Sequence, residues 1–169
     1  GKGGALAAKL GVVTADHALQ TSEEGRRAMA DADVITGFLP GTPHMMNLSM
    51  PDIGSTPGAY TIASDFNPNC PSLSLPFAAS LAVHRAGITP EAALAAVTTT
   101  AAKSVPRNDG IAHGSLAVGH AGSLNVLKGS SWEGWCLSPG HDPFTLTVID
   151  GHATKHENSF HPVSTNIPV

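Results

Sequence analysis

Three short apolar runs, residues 11–15, 34–39 and 59–64, alternate with segments of helical pattern, and nothing else in this chain limits its fold as strongly. Strands spaced this way pair in parallel, because a parallel pair needs a crossover long enough to hold a helix. Gly3–Leu10 reads as a short helix rich in Ala and Leu, ahead of the first run. Thr21 is expected to cap the next helix, with Glu24 reaching back to it, and that helix runs to about Ala32. Segment 40–58 carries Pro40, Pro43, Pro51, Pro57, Gly41, Gly54 and Gly58, and reads as a long loop with at most a weak helix. Residues 73–86 read as a helix with Leu73, Phe77, Leu81 and His84 on one side, the His84 ring packed. Thr89, Pro90 and Glu91 supply a cap, a first-position proline and a first-turn acid for a helix running to about Ser104.

The pattern changes near Gly110. Residues 114–119, 123–129 and 146–151 read as short strands with tight turns, and residues 153–169 as an irregular tail. The expected organisation is an α/β part over 1–109, a small β unit over 110–152 and the tail. Three strands cannot close a barrel, and residue 1 is not Met, so the chain is expected to be a piece of something larger.

A net charge of −4 and a pI near 6.1 argue against a nucleic-acid partner. No apolar run approaches the roughly 20 residues of a membrane span, and no apolar segment of signal-peptide type follows residue 1. Cys70 and Cys136 are too few for a disulfide framework, so a reducing, cytoplasmic setting is expected. There is no phosphate loop, no dinucleotide fingerprint, no GxSxG and no HExxH.

Candidate chemistry lies where the strands end. Chemistry in α/β folds gathers at the carboxyl edge of the sheet. Asp65 ends the third run, and a carboxylate there can bind a metal or take a proton from activated water. An Asx turn or helix cap is its plain structural alternative. His17 ends the first run beside Asp16, where an imidazole can ligate a metal, orient water or simply hydrogen-bond locally. Asn67, Asn69 and Cys70 follow in the turn after Asp65, fit either to hold a polar substrate or merely to form the turn. His44 lies in the long loop, and the histidines of the β unit and tail read as structural or solvated.

These residues resemble a known family. The runs 14–19, 21–25, 38–40 and 63–69, then 89–98, 113–119 and 130–133, resemble imidazolonepropionase, a metal-dependent member of the amidohydrolase superfamily. Asp65-Phe66-Asn67-Pro68 is fairly specific; the Gly-Ser-Leu-x-Val-Gly run at 114–119 is shared across the superfamily. The resemblance implies a (β/α)8 TIM-like barrel with a small β-sandwich, of which this chain supplies the C-terminal barrel part over 1–109 and part of the sandwich over 110–152. It implies one zinc or iron ion, held by Asp65 together with histidines that this chain lacks, since it has no His-x-His pair. It implies that His17 contacts water and substrate, and that Asn67, Asn69 and Cys70 line the pocket. The implied reaction is hydrolysis of 4-imidazolone-5-propanoate to N-formimidoyl-L-glutamate, a step of histidine degradation, with Asp65 moving the proton. A homodimer is possible once the missing N-terminal half is present. Ser123 stands where the superfamily usually has Asp. The alternatives are another cyclic-amide hydrolase or deaminase of the superfamily, or a non-catalytic remnant when the segment is alone.

Overall fold

The computed structural model describes residues 2–156. Its first sheet is parallel, in the order β1 (Thr14–Ala15), β2 (Ile35–Phe38), β3 (Tyr60–Ile62). Helix α1 (Gly3–Leu10) precedes β1, and α2 (Glu23–Asp31) carries the chain from β1 to β2. Gly4 and Gly25 let α1 and α2 cross closely, since a Cβ on Gly4 would come within 2.9 Å of the Gly25 carbonyl oxygen. Together they bury Ala7 and Met29 against Val34.

The second helix starts one residue later than expected. Ser22, with extended backbone, accepts the Gly25 N–H on its hydroxyl at 3.2 Å. The Thr21 N–H closes the preceding short 3-10 turn (Ala18–Gln20) on the Ala18 carbonyl. Ser22→Ala is expected to cost about 1 kcal/mol, read from the melting of a complete chain.

The long loop holds one short helix, α3 (Gly41–Met45), directly after β2. Helix α4 (Leu75–Arg85) then lies behind β3, capped by the Ser74 hydroxyl. The side chains of Ala78, Ala79, Ala82 and Ala86 are small enough to let Phe38, Ile53 and Ile62 pack closely. Two expectations for this helix fail. Leu73 precedes the helix and is 77% exposed, and His84 is exposed rather than packed.

The following helix is broken. α5 (Pro90–Val97) and α6 (Thr99–Ser104) are separated at Thr98, whose ψ of −91 leaves the helical region. Gly114 packs into this break, with room for no Cβ: one would lie 2.9 Å from the Thr98 carbonyl oxygen. That packing, with positive φ at Gly114 and Gly119, makes residues 114–119 turns and loop, where a strand was expected.

The second sheet is an antiparallel meander of β4 (Leu124–Leu127), β5 (Phe144–Ile149) and β6 (His152–Lys155). Strand β6 occupies residues expected to begin the irregular tail. Asp150 and Gly151, at φ 48° and 84°, form the two-residue hairpin that joins it to β5. The rest of the expected tail, 157–169, lies outside the described residues. Between β4 and β5, α7 (Gly134–Leu137) buries Trp135 and Cys136 against α4. Arg107 ties the two parts together, pairing with Asp109 at 2.6 Å and Asp150 at 2.8 Å.

Candidate active site

Asp65 and His17 lie beyond the carboxyl ends of β3 and β1, and in a parallel sheet both therefore fall on one edge. Both have left-handed backbone, at φ 54° and 57°. Asp and His tolerate that region better than most residues, but still at a cost in strain. The His17 Nε2 atom stands 3.8 Å from Asp65 Oδ1, too far for a hydrogen bond. Asp65 is sunk to 16% side-chain exposure, while His17 remains open at 59%.

The other carboxylate oxygen is engaged. Thr42, in the first turn of α3, donates its hydroxyl proton to Asp65 Oδ2 at 2.8 Å. Asn67 donates from Nδ2 to the Thr42 hydroxyl oxygen at 2.8 Å and to the Asp65 carbonyl oxygen at 2.6 Å. Its side-chain oxygen accepts the Asn69 N–H at 2.9 Å, an Asx turn. Backbone pairing of Asn67 with Cys70 closes the loop. The Cys70 thiol is buried at 1% exposure and lies against Gly41, where a Cβ would approach Sγ to 2.7 Å.

The structure thus brings Asp65, His17 and Asn67 together and gives the turn residues different work. Asn67 spends its amide on Thr42 and on the turn backbone, and Cys70 is covered. Asn69 is exposed, and among the described residues its side-chain amide has no partner. Thr42 carries no sequence signal of its own. Only the Pro40–Gly41 stop after an apolar run hints that the segment caps a strand end. His44 binds elsewhere, with Nδ1 3.0 Å from Arg85 Nη1 and its ring edge-on to Phe77.

Gly37 keeps the His17 turn in place. A Cβ there would lie 2.0 Å from Asp16 Oδ1 and 3.0 Å from Asp16 Cα. Gly37→Ala is therefore expected to displace the Asp16–His17 backbone and lower thermal stability by about 1–3 kcal/mol, measured by melting of a complete chain.

Among the described residues, no three His, Cys, Asp or Glu side chains converge as a metal site. A carboxylate and an imidazole suit zinc or iron. They fill at most half of a four-coordinate sphere, so this segment does not close one by itself. Among the described residues no helix is long and apolar enough to cross a membrane.

The α/β architecture is similar to part of several solved enzymes. It superposes on a zinc-bound adenosine deaminase from Xanthomonas campestris with a TM-score of 0.67 and 16% identity, over 88% of this chain and 39% of that one. The E. coli guanine deaminase gives 0.66 and 13%, over 86% and 39%. A chlorohydrolase from Arthrobacter aurescens, crystallised with zinc and atraton, gives 0.58 and 22%, over 83% and 35%.

In sequence the chain is related to the imidazolonepropionases. It is 41% identical over 129 residues to the Haloarcula marismortui imidazolonepropionase, covering 75% of this chain and 30% of that protein. It is 36% identical over 162 residues to a probable imidazolonepropionase of Nematostella vectensis, covering 92% and 35%. The chain thus spans about a third of the length of these relatives. No family model matches it.

Proposed function

We propose that this segment forms the C-terminal barrel part of an imidazolonepropionase, residues 1–109, and part of its small β domain, residues 110–152. Its substrate would be 4-imidazolone-5-propanoate and its product N-formimidoyl-L-glutamate. The observation that carries this reading is the 35–41% identity to imidazolonepropionases over about three quarters of the chain or more, in a stretch that contains the Asp65 turn. The fold and the clustering of Asp65 with His17 at one sheet edge support it.

A zinc or iron ion bound there would supply Lewis acidity to water and to the ring carbonyl. Asp65 would offer Oδ1 to that ion, take a proton from the attacking water and return it to the leaving ring nitrogen. His17, open and facing the same side, would orient water and the substrate carbonyl. Asn69 would hold a polar group of the substrate, while Asn67 and Cys70 would shape the turn that presents it. The remaining ligands would come from the part of the protein that corresponds to the rest of the relatives' length. A cytoplasmic enzyme, homodimeric when complete, is the accompanying proposal.

His17→Ala in a complete chain tests these roles. Turnover is expected to fall about 100-fold or more, in the range of a lost general acid–base group, with metal content near that of the unmodified protein. Equal loss of metal and turnover would make His17 a ligand instead.

A further inference from the structure

We propose that Thr42 is a positioning residue that sets the orientation of the Asp65 carboxylate. This rests on the reading of Asp65 as a metal-binding and proton-accepting group. A threonine hydroxyl has one proton to give and lone pairs to receive. The Asn67 amide donates to the Thr42 oxygen, and that hydroxyl proton is the one that reaches Asp65 Oδ2. The direction of the chain is therefore fixed: amide to hydroxyl to carboxylate. Each donor polarises the next.

Geometry gives the chain its consequence. With Oδ2 held by Thr42, Oδ1 is the oxygen turned toward His17. A carboxylate on a short side chain otherwise rotates freely about its last torsion. The anchor is itself fixed. Thr42 sits in α3, whose first residue, Gly41, is packed on the buried Cys70 thiol, and Cys70 is backbone-paired with Asn67. Asn67 also grips the carbonyl of Asp65, whose backbone is in the left-handed region. One small unit, Gly41–Thr42 on one side and the Asp65-to-Cys70 turn on the other, thus holds the carboxylate in place.

The test compares Thr42→Val, which keeps the shape and removes the hydroxyl, with Thr42→Ser, which keeps the hydroxyl and removes the methyl. Both are made in a complete chain. Zinc affinity by chelator competition, kcat, KM and melting temperature are measured for each. Thr42→Val is expected to lose about 10–100-fold in zinc affinity and in kcat, with KM changed less than about threefold and melting little altered. Thr42→Ser is expected to recover both to within about threefold of the unmodified chain. Unchanged zinc affinity and kcat in Thr42→Val overturns the proposal. So does a Thr42→Ser variant as impaired as Thr42→Val, since the methyl packing would then be what matters.

If Thr42→Val does not fold, Asn67→Asp carries the test. A carboxylate at 67 cannot donate to Thr42 and draws the hydroxyl proton away from Asp65. It is expected to show the same loss, and wild-type zinc affinity and kcat in Asn67→Asp would overturn the proposal. Zinc affinity is read without substrate. If the unmodified chain binds zinc but does not open the imidazolone ring, the functional reading fails, while loss of zinc in Thr42→Val still supports the positioning role.

Discussion

In a complete chain that contains this segment, Asp65→Ala is expected to lower kcat for ring hydrolysis at least about 1000-fold, a loss of about 4 kcal/mol in transition-state stabilisation. Metal per chain should fall with it. The side chain contributes nothing to the apolar core around Phe38 and Ile62, so the fold should persist, with stability lowered by about 1–2 kcal/mol because alanine is disfavoured in the left-handed backbone of position 65. Asp65→Asn is the sharper control. An amide side chain tolerates the left-handed backbone and still offers an oxygen to the Thr42 hydroxyl. It lacks only the charge and the ability to accept a proton. The Asp65→Asn variant is expected to melt like the unmodified protein and to be as inactive as the alanine variant. Full activity with unchanged metal content in either variant contradicts the role given to Asp65.

The second large effect concerns these 169 residues expressed alone. Among the described residues, the outer edges of β1 and β3 pair with no further strand. Unpaired edges are templates for association. Leu6, Leu10, Val13, Phe66, Leu116 and Val118 are all more than half exposed and add apolar side chains through which copies can associate. The two candidate donors, Asp65 and His17, leave at least half of a metal's coordination sphere unfilled. The expected result is self-association in size-exclusion chromatography and no turnover of imidazolonepropionate with added zinc or iron. A monodisperse monomer with robust turnover would show that the site is complete without further chain.

The parallel sheet is legible in the sequence because residues 11–15, 34–39 and 59–64 are too short for helices, are rich in β-branched residues and alternate with segments of helical period. Asp65 and His17 are legible for the same reason: once the strands are placed, their ends are known. The break at Thr98 is only half legible: the β-branched run Val97-Thr98-Thr99-Thr100 weakens a helix, but its place depends on Gly114, packed against Thr98 from outside the helix. The expected strand at 114–119 fails with it. Strand β6 does have a local signal, the Asp150-Gly151 pair, which favours a tight hairpin. The turn residues show a different limit. Composition marks Asn67 as a polar group near the site, but only coordinates reveal that its amide is spent on Thr42 and the Asp65 backbone. The single hydroxyl of Thr42 has no motif to announce it.

Product analysis of a complete chain offered several cyclic substrates tests the account most directly. The chain is incubated with 4-imidazolone-5-propanoate, with a cyclic amide of dihydroorotate type and with a purine or pyrimidine amine. Rapid conversion of the imidazolone to N-formimidoyl-L-glutamate is expected, with little or no turnover of the others. Deamination or opening of a different ring, with the imidazolone left intact, would contradict it and place the chain with another branch of the same barrel fold.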